Sequence, residues 1–155
     1  MKIYRTEFSQ ELPVSIDSAW DFFSSPLNLA EITPKDMTFD VTSPIMDHTK
    51  MYPGLIITYK VSPLFGIKLD WVTEITHVKD KEYFIDEQRF GPFAFWHHQH
   101  HFQSIDGGVL MNDILHYSVG WGVIGKVANG IMVKNKINEI FDFRYKKVEA
   151  LFGKM

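Results

Sequence analysis

The polar and apolar positions of this chain change period along its length. From Lys2 to Leu12 the composition is of β type, with Ile3, Tyr4, Thr6 and Phe8, and Pro13 and Ser15 end the run. A short helix is predicted through Ala19-Trp20-Asp21-Phe22-Phe23, capped by Ser15 or Asp17. A second short helix is predicted from Pro26, a residue suited to a first helical position, through Leu27, Leu29, Ala30 and Ile32 to Thr33-Pro34.

From there the period is two. Met37 to Thr42 is a short strand candidate, Pro53-Gly54 is a turn, and Leu55 to Val61 places Ile57, Tyr59 and Val61 on one face. After Phe65-Gly66, Ile67, Leu69, Trp71, Thr73 and Ile75 alternate with Lys68, Asp70, Val72, Glu74 and Thr76, and Asp80-Lys81 closes a hairpin. Tyr83 to Phe90, Phe93 to Gln103 and Val109 to Val119 complete a meander, turned at Gly91-Pro92 and at Asp106-Gly107-Gly108. From about Lys126 the period becomes helical: Val133, Ile137, Ile140, Phe141, Val148, Leu151 and Phe152 form one apolar stripe. No repeat or linker interrupts residues 1–155, so a single domain is expected.

The predicted order is a strand, two short helices, about six strands and one long helix. That is an α+β fold: a curved antiparallel sheet of about seven strands wrapped around the C-terminal helix, the only element long enough to cover the sheet's apolar face. A straight helix does not fill a bent concavity, and the space left is a natural ligand site. Composition changes this picture only at the margins. Aromatics reach 15%, which suits either a wide hollow or an aromatic-rich core. The absence of cysteine excludes a disulfide framework, a thiolate zinc site and a Cys nucleophile. A net charge of −3 offers no basic field for nucleic acid. No apolar run approaches a membrane span, and MKIYRTEF lacks a signal-peptide core, so a cytoplasmic location is expected.

The stretch from Phe84 to Phe102, FIDEQRFGPFAFWHHQHHF, concentrates the candidate chemistry. Trp96, His98, His100 and Phe102 alternate on one face of a strand. On the neighbouring strands Phe84, Asp86, Gln88 and Phe90 alternate, as do Met111, Asp113, Leu115 and Tyr117. With these faces turned inward, Asp86, Gln88, His98, His100, Asp113 and Tyr117 make a polar band inside an aromatic cavity. Three readings stand. The band is a set of buried polar groups that satisfy one another, His98 with Asp113 for example. It orients the polar head of a ligand in a greasy pocket. Or it is chemical: His98 or His100 acts as a general base with Asp113 or Asp86 as partner, or the two imidazoles and Asp113 form a facial triad for iron.

Outside this band, His97, Gln99 and His101 fall on the opposite, outer face. Asp142 and Arg144 sit on the long helix, where Arg144 reads as a snorkelling or salt-bridged residue or as an anion-binding group at the cavity mouth. Gly120, Gly122 and Gly125 fit no phosphate loop and suit a turn or hinge into the helix. No nucleophile elbow is present.

The chain resembles the START-like, helix-grip proteins of the SRPBCC superfamily, and within it the bacterial ligand-binding group often placed with polyketide cyclase/dehydrase-like proteins. The resemblance is carried by VSIDSAWDFFSSPLNLAEITP at Val14 to Pro34, PGLIITYKVSPLFGIKLDWVTEIT at Pro53 to Thr76, the Phe84 to Phe102 stretch and FDFR at Phe141 to Arg144. It departs at GWGVIG, Gly120 to Gly125, where related sequences more often have a Pro-containing turn. It implies an apolar cavity that holds a lipophilic small molecule, and it implies no particular reaction. The expected site residues are Trp71, Phe84, Gln88, Trp96, His98, His100, Phe102, Asp113 and Tyr117, for a lipophilic or aromatic ligand. A cyclase/dehydratase-type enzyme is the alternative. No metal or cofactor is assigned, and the oligomeric state is left open.

Overall fold

A computed structural model describes residues 1–62, 67–120 and 130–155. The Phe65-Gly66 lead-in and the glycines at Gly122 and Gly125 lie outside the described residues. Strands β1 (Tyr4–Leu12), β2 (Phe39–Val41), β3 (Leu55–Val61), β4 (Leu69–Lys79), β5 (Tyr83–Phe90), β6 (Phe93–Ile105) and β7 (Gly108–Val119) form one seven-stranded sheet in the order β1-β7-β6-β5-β4-β3-β2. Every neighbouring pair is antiparallel. The last strand thus returns beside the first, and the sheet remains open at β1 and β2. Helix α1 (Ile16–Phe23) follows β1, and the long helix α2 (Gly130–Phe152) ends the chain.

Local chemistry sets these boundaries. Ser15 is extended and its Oγ accepts from the Ser18 N–H at 3.2 Å, so Ser15 rather than Asp17 caps α1. The second predicted short helix is a 3₁₀ segment, Pro26–Ala30. The Asn28 side chain donates to the Phe22 carbonyl and the Thr33 hydroxyl to the Leu29 carbonyl, and these bonds hold a tight turn between Pro26 and Pro34 where a longer helix has no room. A further 3₁₀ turn, Lys35–Met37, precedes β2.

On α2 the buried face runs through Val133, Ile137, Phe141, Arg144 and Val148. Leu151, expected in the apolar stripe, is 40% exposed, while its neighbour Phe152 packs against Phe22 and Phe23. Burying side chains of this kind is worth about 1.5–3 kcal/mol each, so Val133, Ile137, Phe141 and Val148 suffice to dock the helix. Phe141 stacks on Phe8 of β1 with centroids 3.9 Å apart. The larger core cluster joins Ala19, Trp20 and Phe23 of α1 to the inner face of β3, β5, β6 and β7. The smaller one joins Leu115 and Tyr117 to α2.

Two register shifts bend β4 and β5 past each other. One of them pairs Val72 with Phe90 and Thr73 with Gln88, which leaves Arg89 unopposed. This bulge breaks the alternation, and Phe90, expected to face inward, is 64% exposed.

Candidate functional site

The polar band follows from strand register. On β6, His98 and His100 share a face. Asp86 of β5 lies directly opposite His98, and Asp113 of β7 lies directly opposite His100. Diagonal neighbours on one face are also within reach of such side chains, so each carboxylate meets both imidazoles. Asp113 Oδ1 stands 3.0 Å from His98 Nε2 and 2.8 Å from His100 Nδ1. Asp86 Oδ2 stands 3.4 Å from His98 Nδ1 and 2.8 Å from His100 Nε2. The four groups close a ring, with the imidazole rings 3.8 Å apart. The Trp96 indole N–H donates to the other Asp86 oxygen at 3.3 Å.

A pocket of about 150 Å³ lies between this face of the sheet and α2. Among the described residues its aromatic wall includes Phe22, Phe23, Tyr59, Trp71, Phe84, Phe93 and Trp96. The 3₁₀ segment adds Asn28, Leu29 and, beyond it, Ile32, while α2 adds Val133, Ile137 and Ile140. Asp86, His98, His100, Lys136 and Arg144 supply its ionisable groups. Trp71 meets Trp96 edge-on at 5.1 Å, and Phe84 stacks on His100 at 4.1 Å.

Of the expected site residues, Trp71, Phe84, Trp96, His98 and His100 line the pocket, as does Asp86. Gln88, Phe102, Asp113 and Tyr117 stand away from its lining. Gln88 spans the β5–β6 turn, donating to the Phe93 carbonyl at 2.7 Å and accepting from the Phe93 N–H at 3.2 Å. Phe102 packs among Trp20, Phe23 and Phe84. Tyr117 packs on Tyr4 and Phe93. Asp113 is 2% exposed and sits behind the two imidazoles. The outer residues His97, Gln99 and His101 are half-buried on the opposite face.

Arg144 departs from the bland expectation of a snorkelling or ion-paired residue. It is only 9% exposed, lines the pocket, and makes no hydrogen bond or ion pair among the described residues. Its Nε is buried without a partner. Its guanidinium carbon lies over the face of Phe141, 4.9 Å from the ring centroid. The helical period could have flagged it: Arg144 falls between Phe141 and Val148 on the buried face.

Burial and pairing set the charges. Burial alone would raise the Asp113 carboxyl, but hydrogen bonds from His100 and His98 overcome it and hold Asp113 well below the usual carboxylate range. Asp86 is lowered in the same way, burial being outweighed by His100, His98 and Trp96. For His98 burial dominates, aided by the neighbouring His100, and its value falls. Burial also opposes a charge on His100, yet its bonds to Asp113 and Asp86 prevail and its value rises. Burial lowers Arg144 against the pull of both carboxylates, though a guanidinium stays protonated. The imidazoles thus favour the charged form of both carboxylates, and the carboxylates favour a charge on His100.

Asp86, His98 and His100 are also the described residues whose donor atoms converge closely enough for a metal ion, all within 4.8 Å of one another. Among the described residues no helix is long and apolar enough to cross a membrane.

No family model and no curated protein matches the sequence. Solved structures do. Protein CV1439 from Chromobacterium violaceum superposes with a TM-score of 0.72 at 13% identity, over 97% of this chain and 98% of that one. A START superfamily protein from Mycobacterium smegmatis gives 0.69 at 13% identity, covering 96% of each chain. Major latex-like protein 151 from Panax ginseng gives 0.67 at 13% identity, covering 97% of each. Similarity at this identity speaks for the fold, and the whole-chain coverage matches the sheet, α1 and α2 described above: the chain has the helix-grip fold.

Proposed function

We propose that the protein binds a small lipophilic or aromatic anion between the sheet and α2. The apolar body lies against Trp71, Phe84 and Trp96, and the anionic group meets Arg144. The observation that carries this reading is the state of Arg144: a guanidinium nine-tenths buried in an apolar pocket, with Nε unpartnered. A buried donor left unmade costs about 1–3 kcal/mol, and an anion in the pocket removes that cost. The carboxylate oxygens of Asp86 and Asp113 are engaged by His98 and His100, while the Arg144 Nε keeps a donor that a ligand can meet. A pocket of about 150 Å³ suits a ligand of one or two rings, since an engineered cavity near that size holds benzene.

The test uses ring-sized carboxylates beside their amides, with phenylacetate and phenylacetamide as the first pair. The two share shape and differ in charge. A charge-assisted hydrogen bond is worth roughly 1.5–3 kcal/mol, so calorimetry should show the acid bound at least about tenfold more tightly than the amide. Arg144→Met should abolish the preference. Equal binding of acid and amide across the set, or a preference that survives Arg144→Met, refutes the reading.

The cyclase/dehydratase alternative needs an imidazole nitrogen free to take a substrate proton. Each ring nitrogen of His98 and His100 already stands within 3.4 Å of a carboxylate oxygen, which favours a binding role. Substituting both histidines separates the two: a binder keeps much of its affinity, whereas an enzyme keeps binding and loses turnover.

A further inference from the structure

We propose that Asp86, His98 and His100 form a site for one divalent transition-metal ion, with Asp113 behind them as the residue that positions both imidazoles. The argument is geometric. An ion held by nitrogen and oxygen donors at roughly 2.1 Å, with adjacent ligands at right angles, places those donors about 3 Å apart. Asp86 Oδ2 lies 3.4 Å from His98 Nδ1 and 2.8 Å from His100 Nε2. These are the three atoms that converge.

The remaining two ring nitrogens lie near a single oxygen. Asp113 Oδ1 is 3.0 Å from His98 Nε2 and 2.8 Å from His100 Nδ1. Metal-bound histidines commonly donate their second N–H to a carboxylate, which fixes the tautomer and the ring orientation. Here Asp113 is hydrogen-bonded to His98 Nε2, which leaves His98 to present Nδ1. It stands 2.8 Å from His100 Nδ1, placed to take that ring's second N–H when an ion replaces the proton that His100 Nε2 shares with Asp86.

Placement adds a second argument. Asp86, His98 and His100 line the pocket, and Asp113 does not. An ion on the three donors would therefore have its open positions toward the pocket and its orienting carboxylate away from it. All four residues stand on adjacent strands β5, β6 and β7, a rigid mount for a coordination site. A dication would also match the two carboxylates in charge. Two imidazoles and one carboxylate, in a chain without cysteine, suit zinc, iron(II) or cobalt(II) rather than a thiolate-selective ion.

The experiment uses the full chain without a histidine tag, stripped with chelator and titrated with Co²⁺ and with Zn²⁺. The expected result is one equivalent per chain, with visible Co²⁺ absorption. Asp86→Asn and His100→Gln should each weaken binding at least about 100-fold, and Asp113→Asn about 10–100-fold. A His97→Gln/His101→Gln double substitution on the outer face should leave it unchanged. In the wild-type chain, ¹⁵N shifts should place Zn²⁺ on His98 Nδ1 and His100 Nε2, a readout that stands even where a variant fails to fold. In folded Asp113→Asn the tautomer preference should be lost as well, which a merely structural role would not produce. No stoichiometric binding, binding that survives Asp86→Asn and His100→Gln, or shifts confined to His97, His101 and His116 would overturn the proposal.

Discussion

Arg144→Met tests the central reasoning without any assumption about the ligand. A residue kept for a ligand at the expense of the free protein should reveal itself as a stability cost. In the ligand-free, chelator-treated chain, Arg144 loses hydration and recovers little. Its Nε has no partner, and that orphan donor alone costs about 1–3 kcal/mol. Against this stands the attraction of Asp113 and Asp86. Burial prevails, since the Arg144 value is lowered despite both carboxylates. Methionine is of similar length, flexible and apolar, and fills the same space against Phe141.

The expected outcome is a variant more stable by about 1–2 kcal/mol in urea unfolding, with an unchanged m-value. For a chain of this size each kcal/mol moves the melting temperature by roughly 2–4 °C, so a rise of a few degrees is expected. Phenylacetate should then raise the wild-type midpoint as its concentration passes Kd, following the linkage relation, and leave that of the variant in place. Destabilisation of Arg144→Met by more than about 1 kcal/mol would mean that Arg144 is a structural counter-ion for the two aspartates. The argument for a ligand-facing cation would then fail.

Three other outcomes follow from the same geometry. In chelator-treated protein, stability should be lost at acid pH. Near neutrality His98, which lies below its ordinary 6.5 and contributes fully only above it, should partly offset His100. Asp86 and Asp113 lie below their ordinary 3.8, so their contribution is full above it and is lost as pH falls through the folded values. His100 lies above its ordinary 6.5, so its contribution is full below 6.5 and is lost as pH rises through the folded value. Asp113→Asn should flatten the acid limb of a urea-midpoint profile, and an unaltered profile would refute the assignment. Phe141→Ala removes the ring stacked on Phe8 at 3.9 Å and should cost about 3–5 kcal/mol; a loss under 1 kcal/mol in calorimetry would show that α2 docks otherwise. Gly91 has φ +156, and a Cβ there would stand 2.5 Å from Gln88 Oε1. Gly91→Ala should therefore cost about 1–3 kcal/mol, and Gln88→Ala in the same chain should recover part of it.

What the sequence made legible, and what it hid, divides along physical lines. The seven-stranded meander and the final helix were readable because each follows a sustained period, two or near 3.6. The inward face of β6 was readable for the same reason: Trp96, His98 and His100 alternate, and they do line the pocket. The break in β5 was not, since a bulge at Arg89 depends on pairing with β4 and leaves no local signature. Hence Phe90 was read as inward when it faces solvent. The positions of Asp86 and Asp113 relative to the pocket were indistinguishable in sequence, because both stand on inward faces. Only the register of β5 and β7 against β6 shows that Asp86 fronts the pocket while Asp113 backs the imidazoles.

Arg144 was the harder case. A charge within an apolar helical stripe ordinarily snorkels or pairs, and both outcomes depend on what the facing strands offer. Here the facing carboxylates, Asp86 and Asp113, are already engaged by His98 and His100. Those contacts are therefore what leaves the Arg144 Nε without a partner. That state is a consequence of strand register, and no reading of the helix by itself could have reached it. The same coupling links the two proposals. An ion on Asp86, His98 and His100 would add positive charge to the wall that Arg144 shares, so the pocket would attract an anion more strongly with metal than without. Phenylacetate affinity measured with and without Zn²⁺ would show this as a positive coupling between the two ligands, and an affinity indifferent to Zn²⁺ would place the ion and the anion too far apart to act together.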